Sequence, residues 1–287
     1  MMWMRIGVIV IVLLTIWPSG LAAQGDPDPE ATYADVPYVA NGDYKQKVDV
    51  YLPADAQELL PVVLLVHGNG YTKWDMAPLA GHFLHQGYAA VAVEYRNPFP
   101  QIGQDMFCAL AWVHSRGAEY GLDNRRIVVL GHSMGGFGAA LLGIIDDPAD
   151  LDVFMTGCDH RLPGEDRLHG VILYAAGGID SSYPTYDAAT QAQIEALITD
   201  QIDGSEPPFL LIHGLDDLRV RPESSIRVAL RLQRVDISVW LVLLPDVGHF
   251  FTNPASAAGQ QAIDAVDAFL EILWETEVAD LDPTETG

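Results

Sequence analysis

The sequence predicts a doubly wound α/β domain, in which helices cover both faces of a mostly parallel sheet. Short apolar runs alternate with longer helical patterns from about residue 45 to 275 of the 287-residue chain, as is typical of such domains. Runs such as Val62–Val66 and Ala89–Val93 are apolar at every position, which indicates strands buried on both faces. With 49% hydrophobic residues, the chain can bury a sizeable core.

The order of the elements follows from these patterns. Strands are predicted at Lys47–Leu52, Val62–His67, Tyr88–Glu94, Arg126–Gly131, Gly170–Ala175, Phe209–His213 and Ile237–Leu244. Helices are predicted at Asp75–Gln86, Asp105–Arg116, Met134–Ile145, Glu223–Arg234 and Ala257–Glu275. In the last helix, apolar residues recur at steps of three and four and predict one buried face: Ile263, Val266, Phe269, Leu270, Leu273 and Trp274.

Residues 1–23 have the features of a secretory signal peptide. Arg5 is their only charge, an apolar run spans Ile6–Trp17, and small residues precede Gln24. An uncleaved N-terminal anchor is the alternative, because the apolar stretch comes close to the roughly 20 residues of a spanning helix. With either outcome we expect an exported protein, periplasmic or extracellular.

The rest of the chain divides into a lead-in segment, residues 24–44, a main domain, residues 45–275, and an acidic tail, residues 276–287. Residues 26–37 are rich in proline and acid, and we expect them to have little structure. Residues 146–169 and 177–206 are longer than ordinary connections in this fold. Either insertion could form a small cap over the site, or could be a surface excursion with no role in substrate choice.

The formal net charge of −24 disfavours nucleic acid and anionic membranes as partners. There is no H-E-x-x-H and no C-x-x-C motif, so zinc has no support. The acids at 146, 147, 150 and 152 leave calcium as a weaker idea. The oligomeric state does not follow from the sequence.

Cys108 and Cys158 are the only cysteines. In an exported protein they could form a disulfide. Alternatively, Cys108 lies in a predicted helix, where a buried free thiol is common. The sequence leaves both open.

The segment Gly131–Gly135, GHSMG, fits the G-x-S-x-G motif between a predicted strand and a predicted helix. In that setting a strained turn presents the serine hydroxyl, and glycines avoid clashes between strand and helix. Ser133 is therefore the predicted nucleophile.

A serine hydroxyl needs a base to take its proton, and the base needs an acid to hold its tautomer. In this fold the chain order is serine, acid, histidine. His249 follows the last long strand and is the predicted base; a histidine that merely packs beside its aromatic neighbours is the alternative. The other histidines after Ser133 precede the candidate acid: His160, His169 and His213.

The stretch HGLDDLRV, residues 213–220, places two acids after a strand. Asp217 lies in mid-loop and is the predicted acid that orients His249. Asp216 is nearer the strand and is expected to solvate the loop or to form an Asx turn.

Attack by Ser133 would put negative charge on a carbonyl oxygen, which buried donors must stabilise. The N–H of Met134 is one predicted donor. Asn69 and Gly70, in the glycine-rich turn after the second strand, are the others. His67 is expected to stabilise that turn.

Taken together, QKVDVYLP, VVLLVHGNG, YAAVAVEYR, LGHSMGG, FLLIHGLDDLRV and VGHF resemble the α/β-hydrolase superfamily, in particular its bacterial esterase/lipase branch with hormone-sensitive-lipase-like and feruloyl-esterase-like enzymes. The resemblance covers roughly residues 45–274. It implies hydrolysis of carboxylic esters through an acyl-serine, with no metal or organic cofactor, and it also places the acid at Asp217. The predicted cap is short compared with the helical lids of true lipases, which favours small soluble esters. Asn69 replaces the middle glycine of the frequent His-Gly-Gly-Gly motif, which leaves the geometry of the oxyanion hole open.

The leading hypothesis is thus a serine carboxylesterase for short acyl groups. A peptidase or amidase, or an acyltransferase, on the same fold is the alternative among enzymes. A hydrolase-like binding protein without activity is the alternative outside enzymes.

Overall fold

The computed structural model describes residues 9–13, 28–97, 99–164, 167–177 and 187–281. Its strands are β1 Ile9–Leu13, β2 Tyr33–Pro37, β3 Lys47–Tyr51, β4 Leu60–Val66, β5 Ala89–Val93, β6 Leu122–His132, β7 Gly170–Tyr174, β8 Phe209–Gly214 and β9 Val239–Leu244. Its α-helices are α1 Ala77–His85, α2 Gln101–Arg116, α3 Met134–Ile144, α4 Pro148–Phe154, α5 Ala188–Thr199, α6 Glu223–Arg234 and α7 Ala257–Leu281. Two short 3-10 helices span Lys73–Met76 and Gly117–Tyr120.

Within the described residues the strands form one sheet in the order β1-β9-β8-β7-β6-β4-β5-β3-β2. Strand β3 runs antiparallel to β5, and β2 runs antiparallel to β3. The remaining pairs are parallel. The predicted fold, a mostly parallel sheet between helices, is confirmed.

Each face of the sheet has its own apolar core. Alternate residues of a strand point to opposite faces, so that Val62 and Leu64 belong to one core and Val63 and Leu65 to the other. Helices α2, α3 and α6 cover the first core, and α1 and α7 cover the second. The apolar face predicted for α7 is buried in the second core.

The lead-in segment differs from the expectation of little structure, since β2 extends the sheet along β3. Its Asp35 accepts a charged contact from Lys73 Nζ at 3.1 Å, and the same ammonium lies 2.6 Å from Asp49 on β3. Lys73 is buried, and a buried charge is tolerated only when it is paired. Asp35, one of the acids on which that expectation rested, is thus an ion-pair partner of the buried Lys73.

Two of the terminal predictions fall only partly on described residues. Within residues 1–23, Ile9–Leu13 pair with β9 as an edge strand, and the remaining residues of that segment lie outside the described part. Among the described helices, none has the length and apolar character needed to span a bilayer. Helix α7 continues to Leu281, into the predicted tail, and residues 282–287 are not described.

The two insertions carry short helices of their own. Helix α4 packs toward α2, where the ring of Phe154 stacks on Phe107 at 5.4 Å between centroids. Asp147 caps α4 by accepting from the N–H groups of Ala149 and Asp150. Helix α5 lies in the second insertion, of which residues 178–186 are not described. Whether either insertion serves as a cap stays a prediction.

Cys108 on α2 and Cys158, which follows α4, form a disulfide, the first of the two alternatives that the sequence left open. Their separation along the sequence is 50 residues. The bond therefore ties the first insertion to a helix of the core.

Replacing Cys158 by serine should lower the free energy of unfolding by about 4 kcal/mol, because the unfolded chain would regain the entropy of the open loop. Urea unfolding of the wild-type protein and of C158S measures the difference. Reductant should bring the wild-type curve close to that of C158S and should leave C158S unchanged. Coincident curves for the oxidised and reduced wild type would contradict the stabilising role of the bond.

Candidate active site

Ser133 lies in the sharp turn between β6 and α3. Its backbone has φ 55° and ψ −116°, a conformation that is strained for any residue other than glycine. The N–H of Ser133 donates to the carbonyl of Tyr174 at 2.9 Å, and its own carbonyl accepts from the N–H of Gly177 at 3.0 Å. Bonds to the neighbouring strand β7 and the residues after it thus hold the strained turn.

The two glycines of the motif are required by close backbone contacts. A Cβ at position 131 would lie 2.2 Å from the carbonyl oxygen of Gly135, and one at position 135 would lie 2.3 Å from that of Val66. Contacts this short with backbone atoms cannot be relieved by a side-chain rotation. Strands β4 and β6 and helix α3 meet here with no space for side chains, which explains why the motif is predictive.

The structure brings the predicted base against the predicted nucleophile. His249 lies in the loop between β9 and α7, and its Nε2 accepts from the Ser133 hydroxyl at 2.9 Å. Its Nδ1 donates to Asp217 Oδ2 at 2.6 Å. The three residues are each less than a tenth exposed, so they form a continuous and largely buried chain of hydrogen bonds.

Asp217 is held as a carboxylate by several donors. Its Oδ1 accepts from the N–H groups of Arg219, at 2.8 Å, and Val220, at 2.9 Å. Burial alone would raise the pKa of Asp217, but the hydrogen bonds from His213, His249 and the Val220 N–H outweigh it and hold the pKa well below its usual range. The acid therefore stays ionised and can stabilise an imidazolium on His249.

His213, which the chain order excludes as the base, contacts the carboxylate of Asp217. It is fully buried. Its Nε2 donates to the Val220 carbonyl at 2.9 Å and lies 3.2 Å from Asp217 Oδ2, while its Nδ1 accepts from the Ser225 hydroxyl at 2.7 Å. His213 thus fixes the loop that carries the acid, a role that sequence reasoning missed.

His132, the residue before the nucleophile, supports the base. Its Nε2 donates to the carbonyl of His249 at 2.9 Å, and the two rings lie 4.9 Å apart between centroids. Burial lowers the pKa of His132 to about 4, so it is neutral near pH 7. Neither the motif nor the spacing predicts this contact, because the two residues are 117 positions apart.

The glycine-rich turn lies beside Ser133, as expected for a source of oxyanion donors. The N–H of Tyr71 donates to the Gly68 carbonyl at 3.2 Å, and Gly70 has φ 85°, which favours glycine at that place in a turn. Gly68 and Asn69 line the cleft, whereas Gly70 is exposed and is not among the lining residues. Met134 begins α3 directly after Ser133. The assignment of Asn69, Gly70 and Met134 as donors stays a prediction.

Glu94 and Tyr95, the two residues directly after β5, hold this turn in place. Glu94 accepts from the N–H of Lys73 at 3.1 Å and lies 3.6 Å from His67 Nε2, so it contacts both ends of the turn. The Tyr95 hydroxyl donates to the carbonyl of His67 at 2.7 Å, and the two rings stack. His67 therefore helps to stabilise the turn, as the sequence indicated.

Ser133 lies in the wall of an open cleft. Apart from Ser133 and His249, its described walls are formed by Gly68, Asn69, Tyr71, His132, Arg219, Val220 and Phe250. No described residue of the two insertions is among them. The cleft thus brings together the predicted nucleophile, the predicted base and a partly aromatic wall.

Two family profiles match the chain. Residues 48–165 match the family described as BD-FAE, and residues 174–274 match the prolyl oligopeptidase family. The first stretch includes Ser133, and the second includes Asp217 and His249. Each profile covers less than half of the chain.

Curated relatives include both esterases and a peptidase. The chain is 26% identical over 245 residues to the probable carboxylic ester hydrolase LipM of Mycobacterium tuberculosis, covering 78% of this chain and 57% of the relative. It is 25% identical over 285 residues to dipeptidyl aminopeptidase BIII of Pseudoxanthomonas mexicana, covering 88% of this chain and 38% of the relative. The chain thus spans little more than half of the first relative and less than two fifths of the second.

Among solved structures, the fold is similar to that of a thermophilic esterase from the planctomycete Thermogutta terrifontis, Est2, solved with butyrate bound. The TM-score is 0.64 at 21% identity, over 79% of this chain and 89% of the other. At this identity the similarity establishes a shared fold.

Asp217→Asn should slow the reaction of Ser133 with a fluorophosphonate probe by about 10³-fold to 10⁴-fold, because asparagine cannot stabilise the imidazolium of His249. Labelling rates at pH 7.5 measure the effect. Asp216→Asn is the matched control, since Asp216 is exposed and should retain the wild-type rate. Equal loss in both variants would show that Asp217 has no special role.

Acidification should lower the free energy of unfolding, and part of that loss should come from His132. Its pKa is about 4 in the folded protein and about 6.5 when exposed, so the unfolded state binds more protons between these values, and stability is lost as the pH falls through that window. Between pH 7 and pH 4.5 the loss due to His132 is about 2 kcal/mol. Urea unfolding at both pH values should show a smaller loss for His132→Gln, and an equal loss would contradict the assignment.

Proposed function

We propose that this chain is a member of the α/β-hydrolase superfamily and that it hydrolyses carboxylic esters through an acyl-enzyme formed on Ser133. The observation that carries the proposal is the chain of hydrogen bonds from Ser133 through His249 to Asp217, at 2.9 and 2.6 Å. A strained elbow presents the serine hydroxyl to an open cleft. These are the parts that acyl transfer requires.

In the first half of the reaction, Ser133 Oγ attacks the ester carbonyl while His249 Nε2 takes its proton. Asp217 stabilises the resulting imidazolium without taking the proton itself. Negative charge develops on the carbonyl oxygen next to the start of α3, where the N–H of Met134 and the turn with Asn69 and Gly70 are the proposed donors. His249 then protonates the leaving alcohol, and the acyl group remains on Ser133.

In the second half, water takes the place of the alcohol. His249 removes a proton from the water, the hydroxide attacks the acyl carbon, and the proton passes to Ser133 Oγ as the carboxylic acid leaves. No metal or organic cofactor has a role in these steps. An alcohol acceptor in place of water would give acyl transfer by the same route.

We propose short acyl groups as the preferred substrates. The rings of Tyr71 and Phe250, both in the cleft wall, lie 6.0 Å apart between centroids. The two rings are in contact and form one short aromatic part of the wall, on which a short acyl group can pack. The similar esterase fold from Thermogutta terrifontis, solved with butyrate, supports the same range of acyl length.

Peptide or amide hydrolysis is the second candidate. It is favoured by the match of residues 174–274 to the prolyl oligopeptidase family and by the similarity to dipeptidyl aminopeptidase BIII. The same serine, histidine and acid would act, with an amine in place of the alcohol as leaving group. An amine is the poorer leaving group, so the choice between the two depends on the substrate that the cleft binds.

We also propose that the protein is exported. The apolar segment Ile6–Trp17 with small residues before Gln24 supports a signal peptide or an anchor. The disulfide between Cys108 and Cys158 supports an oxidising compartment, since such bonds are rare in the cytosol.

The purified protein should hydrolyse para-nitrophenyl acetate and butyrate with kcat/KM about tenfold above that for the octanoate, because the short aromatic wall formed by Tyr71 and Phe250 offers a long acyl chain little additional contact. Ser133→Ala should reduce each rate by about 10⁴-fold or more. Alanyl-para-nitroanilide and glycyl-prolyl-para-nitroanilide test the second candidate in the same assay.

Ester hydrolysis that persists in Ser133→Ala would show that the serine mechanism is wrong. Anilide rates that match the ester rates, and that vanish in Ser133→Ala, would favour peptide hydrolysis over the proposed activity.

A further inference from the structure

The charge of the cleft is opposite to the charge of the molecule. The chain has 39 acidic and 15 basic residues, yet no acidic side chain is among the described residues that line the cleft. Arg219 is the one lining residue with a permanent charge. The described part of the cleft therefore has a single fixed positive charge and no negative one.

Arg219 is held at the wall of the cleft. Its N–H donates to Asp217 Oδ1 at 2.8 Å, which fixes its backbone beside the catalytic acid. Its guanidinium carbon lies 5.0 Å from the centroid of the Phe250 ring. Phe250 follows His249 directly, so the backbone of Arg219 is tied to Asp217 and its guanidinium is tied to the residue after His249.

The guanidinium has no acidic partner within the described residues, because no carboxylate oxygen there lies within 4.0 Å of it. Packing over an aromatic ring occupies the face of a guanidinium and leaves the N–H groups of its edge able to donate. Arg219 is also exposed. Its donors are thus available to a molecule in the cleft.

We propose that Arg219 forms a subsite for a carboxylate group carried by the ester substrate, so that the preferred substrates are esters with one free acid. This inference rests on the proposed ester hydrolysis. An arginine binds a carboxylate through two parallel hydrogen bonds, and the neighbouring rings of Phe250 and Tyr71 would pack on the apolar part of the same substrate.

The acidic surface of the protein does not prevent such binding. At physiological ionic strength charges more than about 8 Å apart are largely screened, so a substrate already in the cleft interacts chiefly with Arg219. Asp217 is the nearest described carboxylate along the chain. Its oxygens already accept hydrogen bonds from His249 and from the backbone N–H groups of Arg219 and Val220.

The free acid could belong to the alcohol part or to the acyl part of the ester, and two substrate pairs distinguish these sources. For the alcohol part, para-acetoxybenzoate is compared with its methyl ester, with release of the phenol as the measured step. For the acyl part, para-nitrophenyl hydrogen adipate is compared with para-nitrophenyl methyl adipate. Each pair gives a charge preference, the kcat/KM of the charged ester divided by that of its neutral partner.

Arg219→Gln should lower the charge preference for one of the pairs by about tenfold, the effect of one charge-assisted hydrogen-bonded pair. Arg219→Lys, which keeps the charge but not the planar fork, should lower it less. Arg221→Gln is the matched control, because Arg221 is exposed two residues away and does not line the cleft. In the wild type, an increase in salt from about 0.05 M to about 0.5 M should lower the same preference.

The inference is overturned if Arg219→Gln leaves both charge preferences within twofold of the wild-type values. It is equally overturned if the wild-type preferences do not respond to salt. Hydrolysis of the neutral esters alone would leave the proposed function intact while this inference fails. A wild-type protein that cleaves none of the four esters would instead remove the proposed function and the subsite together.

Discussion

The packing of β4, β6 and α3 at the nucleophile is the constraint on which the rest of the site depends. Side chains at positions 131 and 135 would lie 2.2 and 2.3 Å from backbone carbonyl oxygens, so the strand and the helix can meet only where both residues are glycine. At that contact Ser133 has a positive φ of 55° with ψ −116°. A strained conformation of this kind, which costs of order 1 to 3 kcal/mol, persists only when its surroundings enforce it.

Two buried histidines hold His249 and Asp217 in place beside Ser133. His132 donates to the backbone of His249, and His213 lies against Asp217 and donates to the carbonyl of Val220. Each is held by bonds that a neutral imidazole makes well. His132 therefore remains neutral beside His249 near pH 7, since its pKa is about 4.

The sequence predicted the parts of the fold and site whose cause is local. Apolar runs identified the parallel strands, and a motif with short-range backbone clashes identified Ser133. Position after a strand then singled out Asp217, which the structure brings against His249. The role of His132 depends on a contact between residues 117 positions apart, and no local pattern encodes it. The pairing of the cysteines and the strand β2 likewise depend on partners that only the folded chain brings near, such as Lys73 beside Asp35.

The disulfide has a topological consequence for the catalytic centre. Together with the chain between Cys108 and Cys158 it closes a covalent ring, and Ser133 is a member of that ring. A single cut by a protease anywhere in the ring would open it without detaching the serine, because the two fragments remain joined through the sulfur atoms. The surface helix α4, which lies in the ring just before Cys158, can therefore be nicked while every catalytic group stays on one covalently connected molecule.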